Sequence, residues 1–421
     1  MWHRDYTALI LDSPAAHPRY KPIGRLQRHE LGSQFNPLLM RLTTLCLALL
    51  IGLACDADPP ASNADLIGTD LESEDVIRAT VTFADSPRLS LGGIDVVGPT
   101  QFSGVPSIEV GPDGSLWVVD AATQQLRVFS SEGSHLFSVG GRGDGPGEFR
   151  GLNFVGAEPD GTMMAVDSEL RRVTRYAPSG RLLGTMKWQA PGRVRAIGVT
   201  GEGSLVGVTQ PSWPVSALDR GGVYSDTTHV LAWAELDQPA DTVVSVPGLK
   251  SVVSRTGASI LPFSRMPATA MGDQLHLSAG PSAEIQVFGP DSLERRISVD
   301  RAPTSVASVR DDYVAGLRAN RSADQVRAAL QRLEHAEVPE YISAYSDLVV
   351  TSTGYVWAER VTYTPELDGE WDVFDPSGQL LGQVRPPEGF LIRSIDGDLV
   401  TGVSVDEFGV PYVQQWETTR W

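Results

Sequence analysis

The sequence predicts an all-β fold: a six-bladed β-propeller over residues 76–421, with a helical insertion at about 304–341 and an N-terminal strand that closes the ring. Three observations carry this. A stretch of 36 residues recurs without gaps 47 positions later. Each copy divides into four short strands separated by glycine turns. The last unit lacks a strand, and a spare one precedes the first unit. With 41% hydrophobic residues and nine Trp in 421 positions, the chain can fill a core of that size.

The repeat is clearest between GPTQFSGVPSIEVGPDGSLWVVDAATQQLRVFSSEG (98–133) and GPGEFRGLNFVGAEPDGTMMAVDSELRRVTRYAPSG (145–180). Ten of the 36 positions are identical, among them Phe102 and Phe149, the Pro-Asp-Gly turns at 112–114 and 159–161, and the strand-ending Asp120 and Asp167. In the first unit SIEV is strand one, and Pro112-Asp113-Gly114 is a tight turn. SLWVVD is a fully buried second strand, QQLRVFSS an alternating third and HLFSVGG the fourth.

Weaker copies follow. The third unit joins 194–209 to 229–237 through a polar insertion, the fourth covers 268–299 and the fifth 346–384. Residues 390–417 hold only three strands, and PRLSLGG (87–93) stands where the missing fourth would come from. The GGRGDGPGEF stretch, followed by PDG, a buried strand ending in Asp and a turn glycine, resembles NHL-type repeats and the TolB-like six-bladed propellers of bacterial lipoproteins. The resemblance spans 86–421, is sharp over 91–184, and implies a fold rather than an activity.

Residues 304–341 break the strand pattern. Val309, Tyr313 and Leu317 make one helical stripe, Val326, Leu330 and Leu333 a second, and Ser322 with Gln325 a capping box. The expectation is a flap packed across one face, with a partner-docking helix as the alternative.

The N-terminal region reads as an address. Met40 and Arg41 precede a thirteen-residue apolar run, Leu42–Ala54, too short to stay as a membrane span, and Cys55 follows it directly. This resembles a bacterial lipoprotein signal (40–54), which implies lipidation of Cys55 and a flexible tether over 55–75. Ala54 fits the pattern, while Gly52 takes the place of the usual aliphatic residue; an ordinary secretory signal cut nearby is the alternative. Residues 1–39 have mixed charge and no apolar core, so translation is expected to start at Met40 and 1–39 to be a non-native leader. Cys46 lies in the signal, which leaves no thiol in the mature fold for a disulfide or a thiolate metal site.

The formal net charge is −18, and six of the 34 basic but only three of the 52 acidic side chains precede Cys55. The exported part is therefore more acidic still, which argues against nucleic acid as a partner and against charge-driven membrane contact.

No catalytic constellation emerges. His135, His229, His276 and His335 stand singly, and no nucleophile elbow is present. Asp120 and Asp167 recur at equivalent strand ends, which suggests a fold-level role in binding turn N–H groups; a cation at the channel mouth is the weaker reading. Calcium-dependent lactonase-like propellers draw Glu, Asn and Asp onto the axis, and Asn153, on the inner strand of the second unit, is the matching candidate.

In the 139–151 stretch, glycine and proline are shared with the earlier copy, whereas Arg142, Asp144 and Arg150 are not, making them interaction-loop candidates. The expectation is a monomeric, lipid-anchored interaction module at the bacterial cell envelope, facing the periplasm or exterior. It would bind a protein, peptide or glycan without a cofactor. The alternative is an exported hydrolase or lyase using channel carboxylates and Ca²⁺.

Overall fold

A computed structural model describes residues 81–419 apart from 213–214, 255–256, 262, 266–267, 273, 290–291, 336–337 and 364–368. The leader, signal, Cys55 and tether lie outside the described residues. Among those described, the strands form six antiparallel sheets, five of four strands and one of five.

The first strand, β1 (Leu89–Leu91), belongs to the last blade. Blade 1 comprises β2 (Ile108–Val110), β3 (Leu116–Asp120), β4 (Gln125–Phe129) and β5 (His135–Gly140), and blade 2 comprises β6 (Leu152–Ala157), β7 (Met163–Asp167), β8 (Arg172–Tyr176) and β9 (Leu182–Lys187). Blade 3 holds β10 (Val194–Val199), β11 (Leu205–Thr209), a short α1 (Val215–Arg220), β12 (Gly222–Trp233), β13 (Asp241–Ser254) and β14 (Gly257–Ile260). Blade 4 is β15 (Ala268–Met271), β16 (Leu275–Ser278), β17 (Glu284–Phe288) and β18 (Leu293–Ser298). After α2 (Val306–Asn320) and α3 (Ala323–His335), blade 5 runs through β19 (Tyr345–Val350), β20 (Val356–Arg360), β21 (Trp371–Phe374) and β22 (Leu380–Val384). Blade 6 is β23 (Leu391–Asp396), β24 (Leu399–Val405) and β25 (Pro411–Glu417), completed by β1.

The fold is thus the six-bladed propeller that the repeat predicts. Its closure is as expected: Leu89, Ser90 and Leu91 pair with Gln415, Gln414 and Val413, and Phe83 bridges Thr418. The inner strands complete a ring, with β2 beside β6 and β23, β10 beside β6 and β15, and β19 beside β15 and β23.

What holds the ring is a series of cores, each shared by two consecutive blades. Trp117, Leu126, Val128, Phe149, Val155 and Met163 join blades 1 and 2. Leu91, Phe102, Ile108, Leu116, Val403 and Val413 join blade 6 to blade 1, so ring closure buries apolar surface as well as pairing an edge. The connectors supply the anchors. Gly140, at φ 95°, lets Phe149 lie against its backbone; a Cβ there would sit 2.8 Å from the ring.

Consecutive strands alternate in direction. Turns between second and third strands and the blade-to-blade connectors therefore share one face, the connector face, and the remaining turns form the opposite face. The bond from Gly141 N to Gln124 O (2.8 Å) ties a connector to such a turn. The helical insertion links β18 to β19 and so belongs to the connector face. Its base is zipped by Val306 N to Glu340 O (2.9 Å) and Ile342 N to Thr304 O (3.0 Å). Tyr313 of α2 packs with Phe263 and Tyr363, ring centroids 4.7 and 5.4 Å away, above Val306, Val309 and Leu333. The expected capping box is present: Ser322 N donates to Gln325 Oε1 (3.0 Å) and Gln325 N to Ser322 Oγ (3.4 Å).

Blade 3 differs from the sequence expectation. Its polar insertion is the far half of a long hairpin: Gly222–Thr227 of β12 pair with Pro247–Val253 of β13, and β14 adds a fifth strand. Residues 222–227 carry no buried side chain, so the stretch has strand geometry without an apolar period to announce it.

Candidate binding site in the central channel

The second strands of the blades share a frame that sets heights along the channel. The fourth residue of β7, Val166, pairs with Phe154, and Asn153 occupies the bulge just before it. The fourth residue of β11, Val208, pairs with Arg195; that of β20, Glu359, pairs with Asp347. In blade 6, Gly402 pairs with Ile392, and Arg393 fills the bulge that follows. Blades 2, 3 and 5 therefore place Asn153, Arg195 and Asp347 at one height of the inner ring; in blade 6, where Val400 pairs with Trp416 as Met163 does with Tyr176, the equivalent position is Val403, and Arg393 stands one to two residues nearer the opposite face.

Burial of their neighbours turns these side chains inward. Val194 and Ala196 flank Arg195 in the core between blades 2 and 3, Ile392 and Ile395 bracket Arg393, and Leu152 and Val155 bracket Asn153. Arg195 is open to channel solvent yet walled by protein. Loss of bulk water lowers its pKa, the Asp347 charge opposes that shift, and the Arg393 charge adds to it. Asp347 Oδ1 accepts from Leu348 N (2.9 Å), and Asn153 Nδ2 donates to Ser168 Oγ (2.9 Å).

Glu109 stands two residues further towards the opposite face, opposite Trp117. Its counterparts at that height in blades 2 and 3 are Gly156 (opposite Met164) and Gly198 (opposite Val206), which offer no polar group. Burial pushes the Glu109 carboxyl up to about 7.

The residues singled out from sequence are placed elsewhere, with Asn153 the exception. Asp120 is fully buried, ion-paired with Arg127 (2.5 Å) and accepts from Thr123 Oγ1 (2.7 Å). Asp167 accepts backbone N–H bonds from Arg150, Gly151, Glu169 and Leu170 at 2.8–3.1 Å. Both staple the second-to-third-strand turn, and Asp167 also holds the incoming connector. Among the described residues no three His, Cys, Asp or Glu side chains gather closely enough to hold a metal ion. Asp144 and Arg150 form an exposed ion pair with each other, and Arg142 reaches Ala122 O (3.3 Å). Arg172 grips the carbonyls of Asp144, Gly145 and Glu148, so the loop is latched onto blade 2.

Glu109, Arg195, Asp347 and Arg393 carry no local motif. Their common signal is a charged residue inside a short apolar inner strand, visible once the units are aligned on their second strands.

Comparison with known proteins gives one family match: a model for DUF5128, a 6-bladed beta-propeller, over residues 102–190. No curated protein matches the chain. Among solved structures, a DUF4221 family member from Bacteroides vulgatus is 9% identical with a TM-score of 0.49, covering 82% of this chain and 100% of its own. A protein of Bacteroides fragilis described as exported is 13% identical with a TM-score of 0.47, covering 81% and 96%. The virginiamycin B lyase of Staphylococcus aureus is 8% identical with a TM-score of 0.41, covering 80% and 99%.

Proposed function

We propose that the protein is an exported, lipid-anchored propeller that binds a ligand or partner at the bacterial cell envelope, held by Cys55 and the tether 55–75. The observation that carries this reading is the thirteen-residue apolar run that ends directly at Cys55. In the ring, Thr82 and Ala84 bond with Thr419 and Glu417 at the end of β25, on the face opposite the connectors. The connector face carries the helical insertion and two exposed apolar side chains on its loops, Val97 at 85% and Phe408 at 69% exposure.

The alternative of a cation-dependent hydrolase or lyase fits the channel less well. At the height where Asn153 and Asp347 stand, the Arg195 guanidinium shares the ring, and its charge opposes a divalent cation. Metabolic labelling with palmitate tests the anchor. The full chain should be labelled and sediment with membranes, while Cys55→Ser should be unlabelled and released. A wild-type protein that is unlabelled and soluble would contradict the proposal.

A further inference from the structure

The connector from blade 2 to blade 3 borders a cavity of about 670 Å³, a size usual for small-molecule sites. On one side stands the β7–β8 turn with Leu170 and Arg171, and on the other the β12–β13 hairpin with Leu231, Pro239 and Thr242. The connector is strapped to both: Trp188 N donates to Arg171 O (2.8 Å) and Gln189 N to Leu236 O (2.9 Å).

Its lining points to one class of ligand. The charged residues are Arg171 and Lys187, both cations in a chain of net charge −18, and no acid is among the described residues that line the cavity. Both cations are exposed, and among the described residues neither side chain has a hydrogen bond or an ion pair within 4 Å. Elsewhere the indole N–H groups of Trp117, Trp233 and Trp416 donate to Ser115 Oγ (3.2 Å), Gln189 O (3.0 Å) and Gln414 Oε1 (3.1 Å). Trp188, which lines the cavity and is 3% exposed, has no partner for its own. Buried donors are nearly always paired, so this one leaves a place for an acceptor brought by a ligand.

A carboxylate can meet these donors in charge-assisted hydrogen bonds, while an apolar body covers the Leu170, Leu231 and Pro239 side chains. A small bare anion would leave those walls wet. We propose that this cavity binds an amphipathic monocarboxylic acid, its carboxylate at Arg171 and Lys187 and its apolar body against Leu231 and Pro239. This names a ligand class for the binding role proposed above and rests on that role, but it does not depend on the lipid anchor. If Cys55 proves unlabelled while the acid still binds, the anchor falls and the site stands; labelling without acid binding gives the reverse.

The test is calorimetric titration of the full chain in detergent with phenylpropionate, its neutral amide and acetate. Phenylpropionate should bind saturably, with the amide and acetate each at least about tenfold weaker. Arg171→Asn, a residue type that tolerates the φ of 50° there, combined with Lys187→Gln should weaken phenylpropionate at least about tenfold, the scale of a lost charge-assisted hydrogen bond. Thr242→Trp, an aromatic residue suited to a strand, should fill the cavity and abolish binding. No saturable phenylpropionate binding, equal binding of the amide or of acetate, or undiminished affinity in either the double variant or Thr242→Trp would each overturn the proposal. Should a variant fail to fold, the wild-type comparison of the three probes decides.

Discussion

Glu109 reaches the channel between Ile108 and Val110, where burial pushes its carboxyl up to about 7 from an ordinary 4.5. The folded state then holds the proton more tightly than the unfolded chain, so stability falls as pH rises from 4.5 through 7. Glu109→Gln should gain up to about 3 kcal/mol at pH 8, before screening by channel water, and nothing at pH 4. Urea denaturation at the two pH values checks this. His276 has the opposite window. Burial draws its imidazole down to about 4, against the hydrogen bond between Nδ1 and Gln274 O (3.1 Å). Stability that depends on neutral His276 is present above pH 6.5 and is lost as pH falls towards 4. His276→Leu should flatten that acid limb in the same denaturation series. Neither behaviour is legible in the sequence, because a lone Glu or His on a short strand does not reveal which polar groups stand beside it in the fold.

The elements of blades 1 and 2 were legible because their turns are. Gly114 and Gly161 sit at φ 78° and 82°, a region few other residues tolerate, so both copies keep them. The extended hairpin of blade 3 was not, since Gly222–Thr227 alternate without an apolar face. The inner-ring charges were hidden for a related reason: bulges at Asn153 and Arg393 break the period-2 alternation that marks an inward side chain. The helical insertion was legible from its stripes, whereas its fastening was not. Arg301, at the start of the crossing to α2, forms a two-point ion pair with buried Asp372 (2.7 and 2.9 Å), which Tyr345 Oη also reaches (2.9 Å). Asp372→Asn leaves Arg301 without its counter-charge and should cost about 3 kcal/mol. Hydrogen exchange on the variant should show α2 and the start of β19 losing protection before the distant blades.

At the scale of the whole molecule, the ring is closed by very little chain. Three residues of β1 pair with β25, and Val81 and Phe83 pack against Trp357, Phe390 and Trp416. Replacing Leu89–Leu91 by Pro-Gly-Pro removes that pairing and exposes the β25 edge. The variant should melt well below wild type and self-associate in size-exclusion chromatography; an unchanged melting temperature would show that the closure is dispensable. Ring closure was legible because the last unit is one strand short and the spare strand precedes the first. The channel charges were not, as Glu109, Arg195, Asp347 and Arg393 are single residues on the inner strands of four blades, and their neighbours are set only after every sheet has found its register. A crystal structure of the protein tests the account most directly. It should show six blades with Leu89–Leu91 paired to Val413–Gln415, whereas another blade count, or a last blade left without β1, would contradict it.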